Sequence, residues 1–218
     1  MSSRPDVTMA QRKRRLVSNE LTEAALQLLA SQGFDAVTID DIATTAGVSK
    51  RTFFRYFASK EDVVVQFLAD LGSGIQQELA ARPVGEPPSV ALLHAVSVPA
   101  AACGDHADRA LRVVQLILRT PALLARFLER QVQWREELSA ELARRLDIDP
   151  AVDLYPQLAA GTALAAFDAV LQRWSDSDGV EDPVELTERA FAVIAPALDA
   201  ATAPPERTAP PERTAPSA

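Results

Sequence analysis

One cysteine and eight glycines among 218 residues exclude several kinds of protein at once. A lone cysteine cannot form an intramolecular disulfide or a thiolate metal cluster, and it fits a reducing compartment. Scarce glycine, together with almost no alternation of apolar and polar residues, argues against a sheet-based fold. No apolar run approaches the ~18 residues of a membrane span. The opening MSSRPDVTMAQRKRR has no apolar centre of the kind a secretory signal needs. A cytoplasmic protein without a membrane segment is therefore expected. No Gly-rich phosphate loop, no G-x-S-x-G and no H-E-x-x-H occurs. His94, Cys103 and His106 are loosely spaced and lack the further ligands a closed zinc site requires. Neither an enzyme, a cofactor nor a metal is expected.

What the chain does contain is alanine, leucine and charge. Apolar residues make up 48% of it, enough for a sizeable core, and their spacing is helical throughout. The net charge of −8 is unevenly placed: residues 1–60 carry +3 and residues 61–218 carry −11. A basic end on an acidic body orients a molecule on a polyanion and keeps the body away from it.

The basic end contains TIDDIATTAGVSKRTFFRYFASK, from Thr38 to Lys60. Thr38 is a good N-cap, with Asp41 three residues on near the positive end of the helix dipole. Ile39, Ile42, Ala43 and Ala46 share a face, and Gly47 falls where a helix commonly ends in a left-handed residue. Ser49 caps a helix expected over Lys50–Tyr56, with Phe53 and Phe57 facing the core. Ser59 caps the next, with Asp62 three on. Two helices joined by a short glycine-containing turn form a helix-turn-helix, whose second helix enters the DNA major groove. Its first turn holds Lys50, Arg51 and Thr52, side chains suited to phosphates and base edges.

The order Thr38-Ile39-x-x-Ile42-Ala43-x-x-Ala46-Gly47-Val48-Ser49-x-x-Thr52-Phe53-Phe54-x-x-Phe57-x-Ser59-Lys60-Glu61 resembles the N-terminal signature of TetR-family transcriptional regulators. The resemblance spans Arg14 to Val63. VSKRTFFRYFASKEDV is also similar to an actinobacterial branch that includes mycofactocin-associated regulators, for which acyl-CoA-like effectors are plausible. Where the family commonly has a phosphate-binding Tyr, this chain has Phe54, and Tyr56 can offer a phosphate contact instead. The resemblance implies an all-α protein. A three-helix DNA-binding domain would precede about six helices for ligand binding and dimerisation. It also implies a homodimer, double-stranded operator DNA and a small, largely apolar effector. The DNA-facing set is Thr38, Ser49, Lys50, Arg51, Thr52, Arg55, Tyr56 and Lys60, skirted by Arg12, Lys13, Arg14 and Arg15. A repressor released by its effector is the leading reading. An activator, a ligand-independent regulator and a helical lipid or acyl-CoA carrier are the alternatives.

The expected layout has a disordered arm over 1–7 and a helix-turn-helix domain over 8–60. An effector-binding and dimerisation domain over 61–201 and a disordered Pro-rich tail over 202–218 follow. Thr8 caps a first helix that stops at Gly33, and a fourth starts after Ser59 and runs to about Ala81. Further helices are expected over Ser89–Ala101, His106–Arg119, Pro121–Leu146, Pro150–Trp174 and Pro183–Ala200. The tail carries TAPPER twice, a composition that cannot build a core. Phe67, Leu71, Leu116, Phe127, Trp134 and Phe167 are candidates for an apolar chamber, and Arg112, Gln115 and Arg119 for an anion site on one side of the sixth helix. Leu158, Gly161 and Ala165, with Leu186, Ala190, Val193 and Ile194, are candidates for a dimer-forming helix pair.

Overall fold

A computed structural model describes residues 9–103 and 107–200. The arm 1–7, the Thr8 cap, His106, the Cys103 side chain and the tail 202–218 lie outside the described residues. Helices follow in the order α1 (Met9–Gln32), α2 (Ile39–Thr45), α3 (Lys50–Phe53), α4 (Lys60–Ala81), α5 (Pro88–Cys103), α6 (Ala107–Arg119), α7 (Pro121–Leu146), α8 (Tyr155–Asp176) and α9 (Pro183–Asp199). Among the described residues there is no strand, and no helix is long and apolar enough to cross a membrane.

Local capping accounts for many of these boundaries. Thr38 and Asp41 form a reciprocal capping box: the Thr38 hydroxyl accepts from the Asp41 amide at 3.2 Å, and the Asp41 carboxylate accepts from the Thr38 amide at 2.9 Å. The Thr38 hydroxyl also donates to the Asp41 carboxylate at 2.6 Å, and this bond, then the one from the Thr38 amide, lowers the Asp41 pKa from its ordinary value. Ser49 and Ser59 accept from the amides of Thr52 and Asp62, each at 3.1 Å. Gly47 has φ +67°, a left-handed conformation that favours glycine, and it turns the chain between α2 and α3.

Two expected boundaries shift, and one expected cap is not made. The recognition helix ends at Phe53 rather than Tyr56, because the chain tightens into i→i−3 bonds from Arg55 and Tyr56 to bring Phe57 inward. Asp149-Pro150 does not open α8. Asp149 instead folds a turn through Ala151 and Asp153, and Asp153 accepts from the Tyr155 amide at 2.8 Å, where the helix begins. Thr120 precedes Pro121 as expected, but its side chain makes no capping bond.

α4 is central. It packs on α1 from the N-terminal head and on α5 and α7 of the body. α8 and α9 pair with each other and close the body against α7 and α5. One continuous core runs from Leu21, Ala25 and Leu29 of α1, through Val63, Val64 and Leu68 of α4, to Phe127, Trp134 and Phe167. The far end of the body is closed by the Ser89 amide and hydroxyl, which donate to the Asp199 carboxylate at 2.9 and 2.7 Å.

Candidate nucleic-acid interface and ligand cavity

Phe53 is fully buried and anchors α3, with Phe57 tilted against it at 5.7 Å between ring centres. Held this way, α3 presents Lys50, Arg51, Phe54 and Arg55 to solvent. Lys50 pairs with Asp40 at 2.8 Å. The Arg55 guanidinium lies 5.2 Å from the Tyr56 ring centre. Arg12, Lys13, Arg14 and Arg15 are all exposed along α1. Arg14, Arg15 and Tyr56 come together around a groove of about 360 Å³ that also includes Ser18, Asn19, Gln66 and Asp70. Thr38, Ser49 and Thr52 use their hydroxyls within the caps.

Lys60 is placed differently from the expectation. Its ammonium donates to the carbonyls of Phe34 and Val37 and sits 4.2 Å from the Phe34 ring centre. It clamps the start of α4 to the α1–α2 connection, so these contacts place it in the packing of the head. In the sequence, Phe54 stands out only by its missing hydroxyl. Here it is a large apolar side chain offered to solvent beside Arg51.

A cavity of about 450 Å³ lies between the body helices and α1. α1 contributes Glu23 and Leu26, α4 contributes Phe67, Leu68 and Leu71, and α5 contributes Val96, Pro99 and Ala100. α6 contributes Arg109, Val113, Ile117 and their neighbours; Phe127, Phe167, Val170, Trp174, Pro183 and Thr187 complete the wall. The volume is within the range of small-molecule sites, about 300–1,000 Å³. Of the residues expected there, Phe67, Leu71, Phe127 and Phe167 are on the wall.

The others point elsewhere. Leu116 is buried in the core without being part of the cavity wall. Gln115 donates to Ser175 O at 3.2 Å and Asp178 Oδ1 at 2.9 Å, Arg119 lies 3.9 Å from Asp178, and Arg112 is exposed. That side of α6 holds the α8–α9 connection. The cavity faces the stripe Arg109–Val113–Ile117 instead, a fraction of a turn away. Trp134 lies behind the wall, against Gly72 of α4 and edge-on to Phe127 at 5.9 Å. Its indole N–H has no hydrogen-bond partner among the described residues.

Leu158, Ala165 and Val193 are exposed, Gly161 is half-buried and Ile194 packs half-buried on the core. Leu186 and Ala190 turn inward onto Val170 and Trp174, so they stabilise the α8–α9 pair within one chain and leave the outer face. Leu154, Ala169 and Ala197 extend that outer face.

A helix-turn-helix head with a basic skirt, joined by one helix to a body with an apolar cavity, defines a DNA-binding regulator. Residues 21–67 match the family described as bacterial regulatory proteins, tetR family, and residues 86–199 match the MftR C-terminal domain. The chain belongs to the TetR family of transcriptional regulators, in the branch that contains MftR-type bodies. It is 32% identical to the HTH-type transcriptional regulator TcmR of Streptomyces glaucescens, over 76% of each chain. It is 30% identical to MftR of Mycobacterium tuberculosis, named as a mycofactocin biosynthesis transcriptional regulator, over 89% of this chain and 98% of that one. Among solved structures, FadR from Bacillus subtilis in complex with stearoyl-CoA superposes with a TM-score of 0.59 at 22% identity, covering 81% of this chain and 97% of that one. FadR from Bacillus halodurans gives 0.62 at 20% identity, covering 89% and 97%. These two likenesses concern the fold.

Proposed function

We propose that this regulator is a repressor that binds a near-palindromic operator as a homodimer and leaves it when an apolar effector fills the body cavity. One observation carries the reading: the cavity is walled on one side by α4, and on another by α1 of the head. An occupant that favours a different setting of Phe67, Leu68 and Leu71 shifts α4. The Lys60 clamp passes the shift to the helix-turn-helix. Large release requires the occupant to prefer the non-binding arrangement by several kcal/mol. The apolar wall and the stearoyl-CoA named with one structural neighbour support an acyl-type effector. We divide the chain into a head over 8–60 and a body over 61–201, and assign it no catalytic step. A cytoplasmic location follows from that role.

On DNA, Lys50, Arg51 and Thr52 reach base edges or nearby phosphates. Phe54 offers its ring to a thymine methyl. Tyr56, Arg14 and Arg15 take backbone phosphates around their shared groove, with Arg12 and Lys13 alongside and Arg55 at the edge. Footprinting on the regulator's own upstream intergenic DNA at two salt concentrations tests this. A protected near-palindrome whose affinity drops steeply with salt is expected. Arg51→Ala is expected to weaken operator binding by about 1–3 kcal/mol; unaltered binding would remove Arg51 from the base-reading set.

The homodimer uses the outer face of α8 and α9, with Leu158, Gly161, Ala165 and Val193 at its centre. A two-fold pair presents two recognition helices about 34–36 Å apart. Leu158→Arg with Val193→Arg is expected to give a folded monomer by sedimentation, because both side chains are exposed in the single chain. A dimer that survives both changes would place the interface elsewhere.

A further inference from the structure

Among the lining residues only Glu23, Arg109 and Thr187 carry polar side chains, and the Thr187 hydroxyl donates to Pro183 O at 2.7 Å. Glu23 of α1 and Arg109 of α6 are the charged side chains on it, and they pair with each other. Arg109 Nη1 donates to the Glu23 carboxylate, and Nη2 donates to the Glu23 main-chain carbonyl at 3.2 Å. One guanidinium of the body thus holds both the side chain and the backbone of a head helix at the edge of a ligand-sized space.

We propose that Arg109 is the receptor for an anionic head group on the effector, and that the incoming anion displaces Glu23, so that occupation of the cavity unlatches α1 from α6. This rests on the reading of the cavity as the effector site and adds the charge class of the ligand and the route of its signal. The effector is an amphiphile: an apolar tail among Phe67, Phe127 and Phe167, and a carboxylate or phosphate at Arg109.

The physical argument has three parts. First, a guanidinium offers several donors in a planar fork, which suits a carboxylate or phosphate bound through two oxygens. Second, the existing pair is easy to exchange. Glu23 has 63% of its side chain exposed, so its carboxylate can return to water, and ion pairs this open hold weakly. Arg109 is more enclosed, at 29% exposed, and remains as the fixed partner. Third, the exchange leaves two anions facing each other. A bound head group repels the Glu23 carboxylate, and the arginine drawn to it slackens its hold on the Glu23 carbonyl. Both effects act on α1, the helix that carries the basic skirt. The coupling is reciprocal, so operator DNA that favours the latched head must weaken binding of the anion.

The test uses the full chain and three probes of equal tail length: decanoic acid, decanoyl-CoA and methyl decanoate. Binding is followed by calorimetry, and release by operator affinity. At least one of the two anions should bind about tenfold more tightly than the uncharged ester, as a charge-assisted hydrogen bond implies. Which one does so tells a carboxylate head from a phosphate-bearing one. Arg109→Gln should bring the anions to the level of the ester without changing the ester. Glu23→Gln should tighten anion binding, since the competitor is gone, while shrinking the effect of the anion on operator affinity. The exchanged pair Glu23→Arg with Arg109→Glu should prefer decylamine, which keeps the test readable if Arg109→Gln weakens the fold. Acid, thioester and ester binding equally well, or an unchanged preference in Arg109→Gln, would overturn the anion site while leaving the cavity as a ligand site. No binding by any of the probes would remove the ligand site and the anion site together.

Discussion

Gly72→Ala is expected to destabilise the protein by about 1–3 kcal/mol, the cost of overpacking a filled core. At most helical positions the same change stabilises, by roughly 1 kcal/mol. The sign reverses here because a Cβ at Gly72 would overlap the Nε1, Cδ1 and Cε2 atoms of Trp134. The indole has nowhere to withdraw: only 2% of Trp134 is exposed, and Phe127 stands edge-on beside it. Two residues further along α4 the prediction changes sign. A Cβ at Gly74 would meet Val98 Cγ1 at 3.7 Å, an ordinary contact. Gly74→Ala is therefore expected to raise stability, and urea unfolding of the two variants side by side separates the local clash from any general effect of helix propensity. Trp134→Leu in the Gly72→Ala background should recover part of the loss. A Gly72→Ala protein as stable as the original would mean that α4 and α7 are not held together by this notch.

Arg145→Met is expected to cost about 3 kcal/mol, since one buried and two part-buried acceptors lose their donor together. Arg145 is 92% buried by its 8% exposure, yet it forms no ion pair among the described residues; it serves main-chain oxygens. It donates to Leu79 O at 3.0 Å, Arg82 O at 2.8 Å and Pro83 O at 2.7 Å. Those carbonyls lie at the C-terminus of α4, where helical partners run out and a cation is favoured. Met keeps the apolar stem and removes the donors. Lys restores the charge but not the fork, so Arg145→Lys should recover only part of the stability. A denaturation midpoint unaffected by Arg145→Met would show that water reaches these carbonyls.

Features set by neighbouring residues are legible in the sequence. The caps at Thr38, Ser49 and Ser59 depend on partners three residues away, and Gly47 on a local turn. Features set by tertiary packing were not. The partners of Lys60 are 26 and 23 residues back in the chain, so nothing near it in sequence distinguished an internal clamp from a phosphate contact. On α6, a rotation of less than one turn decides whether Arg109 or Arg112 meets the cavity, and that rotation is fixed by how the helix lies on α1, α7 and α8. The same ambiguity puts Leu186 and Ala190 with Val193 on one stripe, although the helix buries the first, half-buries the second and exposes the third. Phe67, Leu71, Phe127 and Phe167 were found because large apolar residues in a helical body must face its interior, and in this body much of the interior is cavity wall.

The notch that receives Trp134 has a mechanical consequence. α4 is gripped near its middle at Gly72 and is free of that grip on either side. With 1.5 Å of rise per residue, Phe67 lies about 7.5 Å from this point along the helix axis and Lys60 about 18 Å. Taking the notch as a fulcrum, a sideways push of about 1 Å at Phe67 arrives at Lys60 as roughly 2.4 Å. If the cavity is the effector site, a ligand too small to reshape the body would still displace the head by more than a hydrogen bond tolerates. The amplification is set by where the glycine sits, so moving the notch by one helical turn would retune the response without touching either the ligand or the DNA.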